Sequence, residues 1–235
     1  MKMKISHKPR HARRFNSLSR VELVFEDEDV IVVDKPAGLL TVATDTEKLR
    51  TVYALLFEHV KSKPRAEKIF IVHRLDREAS GLLVFAKTEK AKHSLQDQFK
   101  DHTAGRGYLA VVEGKVRRDA GTLRSYLAEN AAHRVYSTGN PNKGKLAVTH
   151  FRVLNRASQQ TLVEVELESG RKHQIRIHLA EEGHPISGDK AYGSRRNPLH
   201  RLALHATRLT FKHPRTNKTM EFNSPCPASF TSIVR

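Results

Sequence analysis

The sequence predicts an α+β fold on three observations. Short apolar runs rich in Val, Ile, Leu and aromatic residues, bounded by Gly, Pro, Asn or Asp, recur along the chain as strands do. Stretches 51–60 and 89–102 instead repeat apolar residues once per helical turn. From Thr161 to Leu167 apolar and polar residues alternate, as in a half-buried antiparallel strand.

At 235 residues the chain has room for one sizeable domain with a short extension, and its 38% hydrophobic residues are gathered into discrete runs that suit a packed core. Lys and Arg number 42 against 25 acids, a formal charge of +17 with a pI near 10.2. Such a field favours polyanionic partners; by itself it does not separate RNA from DNA, from anionic lipid or from a merely soluble basic protein. The single cysteine, Cys226, excludes an internal disulfide, and no apolar run is long enough to span a bilayer or serve as a secretory signal. A soluble, intracellular, cytoplasmic protein is expected.

Residues 1–20 carry seven Lys or Arg, two His and no acid. They read as a basic arm able to lie along a phosphate backbone, with an uninvolved tail or an organelle transit segment equally open. Val21–Phe25 and Val30–Val33 are strands around the acidic turn Glu26–Asp29, and Asp34-Lys35-Pro36-Ala37-Gly38 closes the second, since Pro36 lacks a donor. Thr51–Val60 is a helix with Val52, Leu55, Leu56 and Val60 on one face. Ile69–Val72 and Leu82–Ala86 are buried strands, and Asp76 lies in the charged connection between them. Flanked by Arg74 and Arg77 at a sheet edge, its carboxylate is suited to stay ionised and act as nucleophile or base; a solvated ion pair is the plain alternative.

Glu89–His102 is a more polar helix with a stripe of Ala91, Leu95 and Phe99. Gly107–Gly114 is a strand in which the aromatic Tyr108, near its start, is either core or site. The turn-rich, basic segment Arg117–Lys145 reads as a hairpin excursion able to touch a polyanion such as RNA, with short strands at Leu123–Leu127 and Arg134–Ser137 and a turn at Asn140–Gly144. Leu146–Leu154 and Thr161–Leu167 pair as strands. Lys172–Glu182 is a short helix, with Ile175 and Leu179 on one face and Lys172 and Arg176 on another, stopped by Gly183. His173 and His178 are five apart, which does not match the four-residue helical spacing of zinc ligands, so no metal site is expected. Leu209–Phe211 and Met220–Phe222 form a final hairpin.

Three of these segments resemble motifs of one family. His73-Arg74-Leu75-Asp76 with Ser80-Gly81, Tyr108-Leu-Ala-Val-Val-x-Gly114, and His173-Gln-Ile-Arg176 stand in the order and at spacings similar to those of the RluA-type pseudouridine synthases, over about Val21 to Pro227. The resemblance implies a catalytic domain over 21–235, preceded by the arm 1–20. It implies a long, mixed but mainly antiparallel sheet with flanking helices and a central cleft. The implied reaction isomerises specific uridines of structured RNA, rRNA or tRNA, to pseudouridine. Asp76 is then the nucleophile and Arg176 its ion-pair partner. Tyr108 lies against the target base, Arg74 contacts displaced RNA or takes the vacated space, and Leu204 is the apolar neighbour of the carboxylate, with core packing an equal account of it; Lys35 helps present substrate, with a plain strand-terminating turn at least as good a reading.

The isomerisation conserves all atoms, so no cofactor or metal is expected; nor is a membrane partner, and the chain is expected to act as a monomer. Two departures from the family pattern stand out. Ala79 replaces the usual hydroxyl residue before Ser80, and the N-terminus is too short for an S4-type RNA-binding domain, leaving target choice to the catalytic domain and the arm. The competing reading is a non-catalytic RNA-binding or ribosome-assembly protein on the same scaffold. A metal-dependent nuclease would instead need a cluster of acidic ligands, which no stretch of sequence supplies.

Overall fold

The computed structural model describes residues 21–63 and 68–235, so the basic arm 1–20 lies outside the described residues. In chain order the elements are β1 (Glu22–Glu26), β2 (Val30–Lys35), α1 (Val52–Lys61), β3 (Phe70–Ile71), β4 (Ser80–Ala86), α2 (Glu89–Lys100), β5 (Gly105–Glu113) and β6 (Ala120–Glu129). There follow β7 (Val135–Thr138), β8 (Lys145–Arg156), β9 (Gln160–Leu167), α3 (Gln174–Glu181), a 3-10 turn (Lys190–Tyr192), β10 (Leu204–Lys212), β11 (Thr219–Asn223) and α4 (Ala228–Ser232). Strands and helices mix as the α+β reading expects, and strand pairing is mainly antiparallel. The described residues divide into two compact units: the first runs to Ala104 and resumes for Arg208–Ser224, and the second holds Gly105–Thr207 and Pro225–Arg235.

In the first unit β1 and β2 pair across the acidic turn, where Asp27 Oδ1 accepts from the amides of Asp29 (2.8 Å) and Val30 (2.9 Å). A short carboxylate in a turn satisfies donors that no strand reaches. β2 and β3 both pair with β4, whose residues are all buried. β3 has two residues rather than the four expected, because beyond it the His73 imidazole, in place of a backbone carbonyl, accepts the Val84 amide (3.1 Å). Thr51 and Thr88 cap α1 and α2 by accepting from the amides of Ala54 (3.0 Å) and Ala91 (3.1 Å). α2 stops at Lys100, before the expected end, since His102 takes a left-handed backbone (φ 58°). Val32, Leu82 and Val84 form the core with Ala91, Leu95, Leu209 and Phe211.

In the second unit the order is β5-β9-β8-β6-β7. The segment read as an excursion is therefore part of the sheet: β6 spans Ala120–Glu129 and pairs with β8 along its length. The physical reason is apolar, since Leu127 and Val135 are buried with Ala147 under Ile177 of α3. α3 begins at Gln174 rather than Lys172, because His173 has φ 55° and cannot continue a right-handed helix. α4 carried no clear period in the sequence; Phe230, fully buried, anchors it beneath the Arg201 guanidinium (5.5 Å). No helix among the described residues is long and apolar enough to cross a membrane.

Candidate functional site

Asp76 sits half-buried in the loop between β3 and β4, and its two neighbours are fixed from outside that loop. On one side, the Thr41 hydroxyl donates to the Leu75 carbonyl (2.8 Å) and accepts the Leu75 amide (3.2 Å). On the other, the Arg77 carbonyl accepts from Lys35 Nζ (3.1 Å) and from the Gly38 amide (2.8 Å), while Arg77 Nε donates to the Gly38 carbonyl (3.2 Å). The His73 ring, besides holding the Val84 amide, stacks on Phe99 at 4.4 Å. A carboxylate supported this way is held in one geometry. Arg74, next but one to it, is exposed.

Lys35 corrects an expectation. Its side chain is fully buried, so it does not present substrate; its Nζ donates to three carbonyls, those of Pro36 (3.1 Å), Leu39 (2.8 Å) and Arg77. It ties the turn after β2 to the Asp76 loop. A lysine at a strand end reads as solvated, because sequence shows no chain folding back over it.

The second unit holds Tyr108, Arg176 and Leu204. Tyr108 is buried on β5, opposite Val165 of β9. Leu204 is buried at the start of β10, where its carbonyl accepts from Arg201 Nη2 (3.3 Å). Arg176, expected on a face apart from the apolar one, is itself buried. Its Nε and Nη2 donate to Asp189 Oδ2 (2.7 Å) and Oδ1 (2.8 Å), a bidentate pair with side chains 8% and 1% exposed. The guanidinium also lies 5.0 Å from the Tyr192 ring, whose hydroxyl is bonded to His173 Nδ1 (2.8 Å).

Asp189 belongs to none of the three motifs; the Gly188-Asp189 pair after the helix is its signal in the sequence. Gly188 has φ +84°, and a Cβ there would lie 2.1 Å from the Arg201 carbonyl oxygen, so only glycine delivers the chain into this turn.

Beneath α3 lies a buried polar network. Gln174 accepts from Ser169 Oγ (2.8 Å) and donates to the Val148 carbonyl and Thr149 Oγ1, both at 2.9 Å. His178 bonds Thr149 Oγ1 (2.8 Å) and Ser125 Oγ (3.0 Å), and burial pushes its pKa down, against the opposing pull of Glu182. Both histidines that raised the metal question are thus engaged by hydroxyls. Asp27, Asp29 and His213 do gather ligand atoms within 4.8 Å, but His213 is bonded to Asp27 (2.7 Å) and Arg215 to Asp29 (2.6 Å). The cluster ties two turns of the first unit, each of its side chains bonded to another protein group.

The α+β scaffold thus holds a braced carboxylate on a strand loop of the first unit and a buried, oriented guanidinium on a short helix of the second. The RNA pseudouridylate synthase family model matches residues 29–181. The chain is 38% identical over 217 residues to the uncharacterized RNA pseudouridine synthase YhcT of Bacillus subtilis, covering 92% of this chain and 72% of that one. It is 39% identical over 219 residues to ribosomal large subunit pseudouridine synthase D of Neisseria meningitidis serogroup A, covering 88% and 58% respectively. Human RNA pseudouridylate synthase domain containing 1 superposes with a TM-score of 0.72 at 26% identity, over 89% of this chain and 84% of that one. The chain belongs to the RNA pseudouridylate synthases, in their RluA branch, and is an intramolecular isomerase.

Proposed function

We propose that residues 21–235 form a catalytic domain that converts particular uridines of structured RNA to pseudouridine, with Asp76 as nucleophile. The observation that carries this reading is the bracing of the Asp76 loop: backbone groups of Leu75 and Arg77, the residues on either side of Asp76, are fixed by Thr41, Lys35 and Gly38. A solvated surface ion pair needs no such support. Asp76 attacks the flipped uridine at its sugar or base ring, the carbon–nitrogen glycosidic bond opens, and the base rejoins the sugar through carbon as the bond to Asp76 breaks, the proton lost from that carbon being matched by one gained at the freed ring nitrogen. No atom enters or leaves.

In this reading Arg176, aimed by Asp189, pairs with Asp76 and keeps it ionised. Tyr108 lies against the base and Arg74 contacts displaced RNA. Leu204 supplies the apolar neighbour. The relative from Neisseria meningitidis is named for the large ribosomal subunit, which favours ribosomal over transfer RNA as substrate. The site of action is then the cytoplasm, with residues 1–20 as an arm along the RNA.

The test is Asp76→Ala. Pseudouridine formation is expected to vanish while RNA affinity stays within about twofold, since phosphate contacts supply most of the binding. Conversion that persists removes Asp76 from the mechanism. Mapping pseudouridines in RNA from cells with and without the gene identifies the substrate; a site lost from large-subunit ribosomal RNA supports the reading, and a loss confined to transfer RNA overturns that part of it.

A further inference from the structure

We propose that the groove at the start of α3, bounded by the β6–β7 hairpin and the turn before β8, is a phosphate-backbone subsite for the substrate RNA. The inference rests on the RNA reading above and places contacts at residues that no family motif singles out.

The groove has a volume of about 500 Å³ and is lined by Lys143, Lys145, Arg171 and Lys172, which come from two separate segments. Its one acid is Glu129, whose carboxylate accepts from Lys172 Nζ at 2.6 Å. The bond to Lys172 holds Glu129 below the usual carboxylate range, with burial opposing it and His133 adding to it, so the acid stays ionised and spent on its partner. The groove therefore carries an excess of positive charge, part of it fixed in direction. Arg171 Nε is anchored on the Leu146 carbonyl (3.1 Å), and Lys172 also donates to the His133 carbonyl (3.1 Å). Lys143 and Lys145 are exposed on either side of Gly144, on a turn shaped by the Asn140 side chain accepting from the Asn142 amide (2.9 Å).

Gly170 adds an independent observation. It lines the groove, and a Cβ on it would lie 2.1 Å from Arg106 Nη1. The Arg106 guanidinium thus lies against the bare backbone of Gly170 at the groove wall, where a side chain would displace it.

Two anchored cations and two mobile lysines around an open trough match a run of phosphates, which repeat as singly charged groups and need no base-specific partner. Leu127, Ala128 and Val135 supply the apolar part of the lining, against which sugars can rest.

The experiment measures the affinity of Lys143→Ala/Lys145→Ala for a transcript of large-subunit ribosomal RNA across a salt series. Wild type and Lys100→Ala/Lys218→Ala, which removes the same charge from exposed positions of the other unit, are the comparisons. Each phosphate contact contributes roughly 0.7–0.9 to the slope of log K against log salt, so the groove variant is expected to lose about 1.4–1.8. At about 0.1 M salt that is roughly a 25- to 60-fold loss of affinity. Conversion at saturating RNA should stay within about twofold, because the reacting groups are untouched.

Salt slopes that match between the two double variants would overturn the subsite. A wild-type protein that neither binds the transcript nor forms pseudouridine in RNA from cells lacking the gene would instead overturn the functional reading beneath it.

Discussion

Asp189→Asn removes one charge from the bidentate pair with Arg176 while keeping its shape. Both side chains are almost wholly buried and the two bonds are 2.7 and 2.8 Å, so solvent cannot replace what is lost. The asparagine oxygen still accepts one bond, but its NH2 turns toward a guanidinium N–H. One charge-assisted bond is lost, about 1.5–3 kcal/mol, and the cation is left partly uncompensated; removing a buried partner outright costs about 3–5 kcal/mol. A loss of roughly 2–4 kcal/mol follows, which for a chain of this size lowers Tm by about 5–15 °C.

The kinetic consequence is separate from the thermal one. A guanidinium free to shift by about 1 Å costs on the order of a hundredfold in kcat, whereas phosphate contacts, and hence RNA affinity, stay within about twofold. The assay is pseudouridine formation at saturating RNA, at a temperature where circular dichroism shows the variant fully folded. The apolar double variant Arg176→Leu/Asp189→Leu, with no buried charge to strand, should recover most of the stability and none of the activity. A folded Asp189→Asn protein keeping more than half of wild-type kcat would refute the view that Asp189 positions Arg176.

Other outcomes follow from the same contacts. Lys35→Met strips the shared donor from three carbonyls; a loss of about 3 kcal/mol in urea melts, faster exchange of the Gly38 amide and at least a tenfold fall in kcat are expected. Gly188→Ala forces a Cβ against a backbone oxygen in a left-handed turn, so more than about 3 kcal/mol should be lost, seen as a drop in soluble expression and Tm.

Stability should also fall with acid in two stages. His205 is held down to about 4 from 6.5 by burial and then by the Arg201 charge, against a bond to the Pro225 carbonyl. The unfolded chain therefore takes up this proton first as pH drops below 6.5, at a cost of about 2 kcal/mol by pH 5. Glu26 is pushed up by burial, but the bonds from Lys63, Lys87 and His59 outweigh that and bring it to about 2. Its stabilisation is present above 4.5 and is lost between 4.5 and 2. Urea midpoints at pH 7, 5 and 3 measure both stages, and a flat profile from pH 7 to 5 would contradict the burial of a neutral His205.

By itself, the sequence determined the features whose cause is local. The strand runs around Asp76 and the turn at Asn140 follow from period and turn chemistry, which act over a few neighbouring residues, while Asp76, Tyr108 and Arg176 stand out by their resemblance to family motifs. Even so, helix and strand ends shifted wherever a side chain or a left-handed residue took over a backbone role, as at His73, His102 and His173. Tertiary structure alone decided which charges are buried and with whom. Lys35, expected to help present substrate, is wholly enclosed; Arg176, expected on a helix face apart from the apolar one, is buried and gripped by Asp189, 13 residues further on. The reason is physical: a charge is stable out of water only where partners converge on it from elsewhere in the chain, and that convergence is a property of the fold.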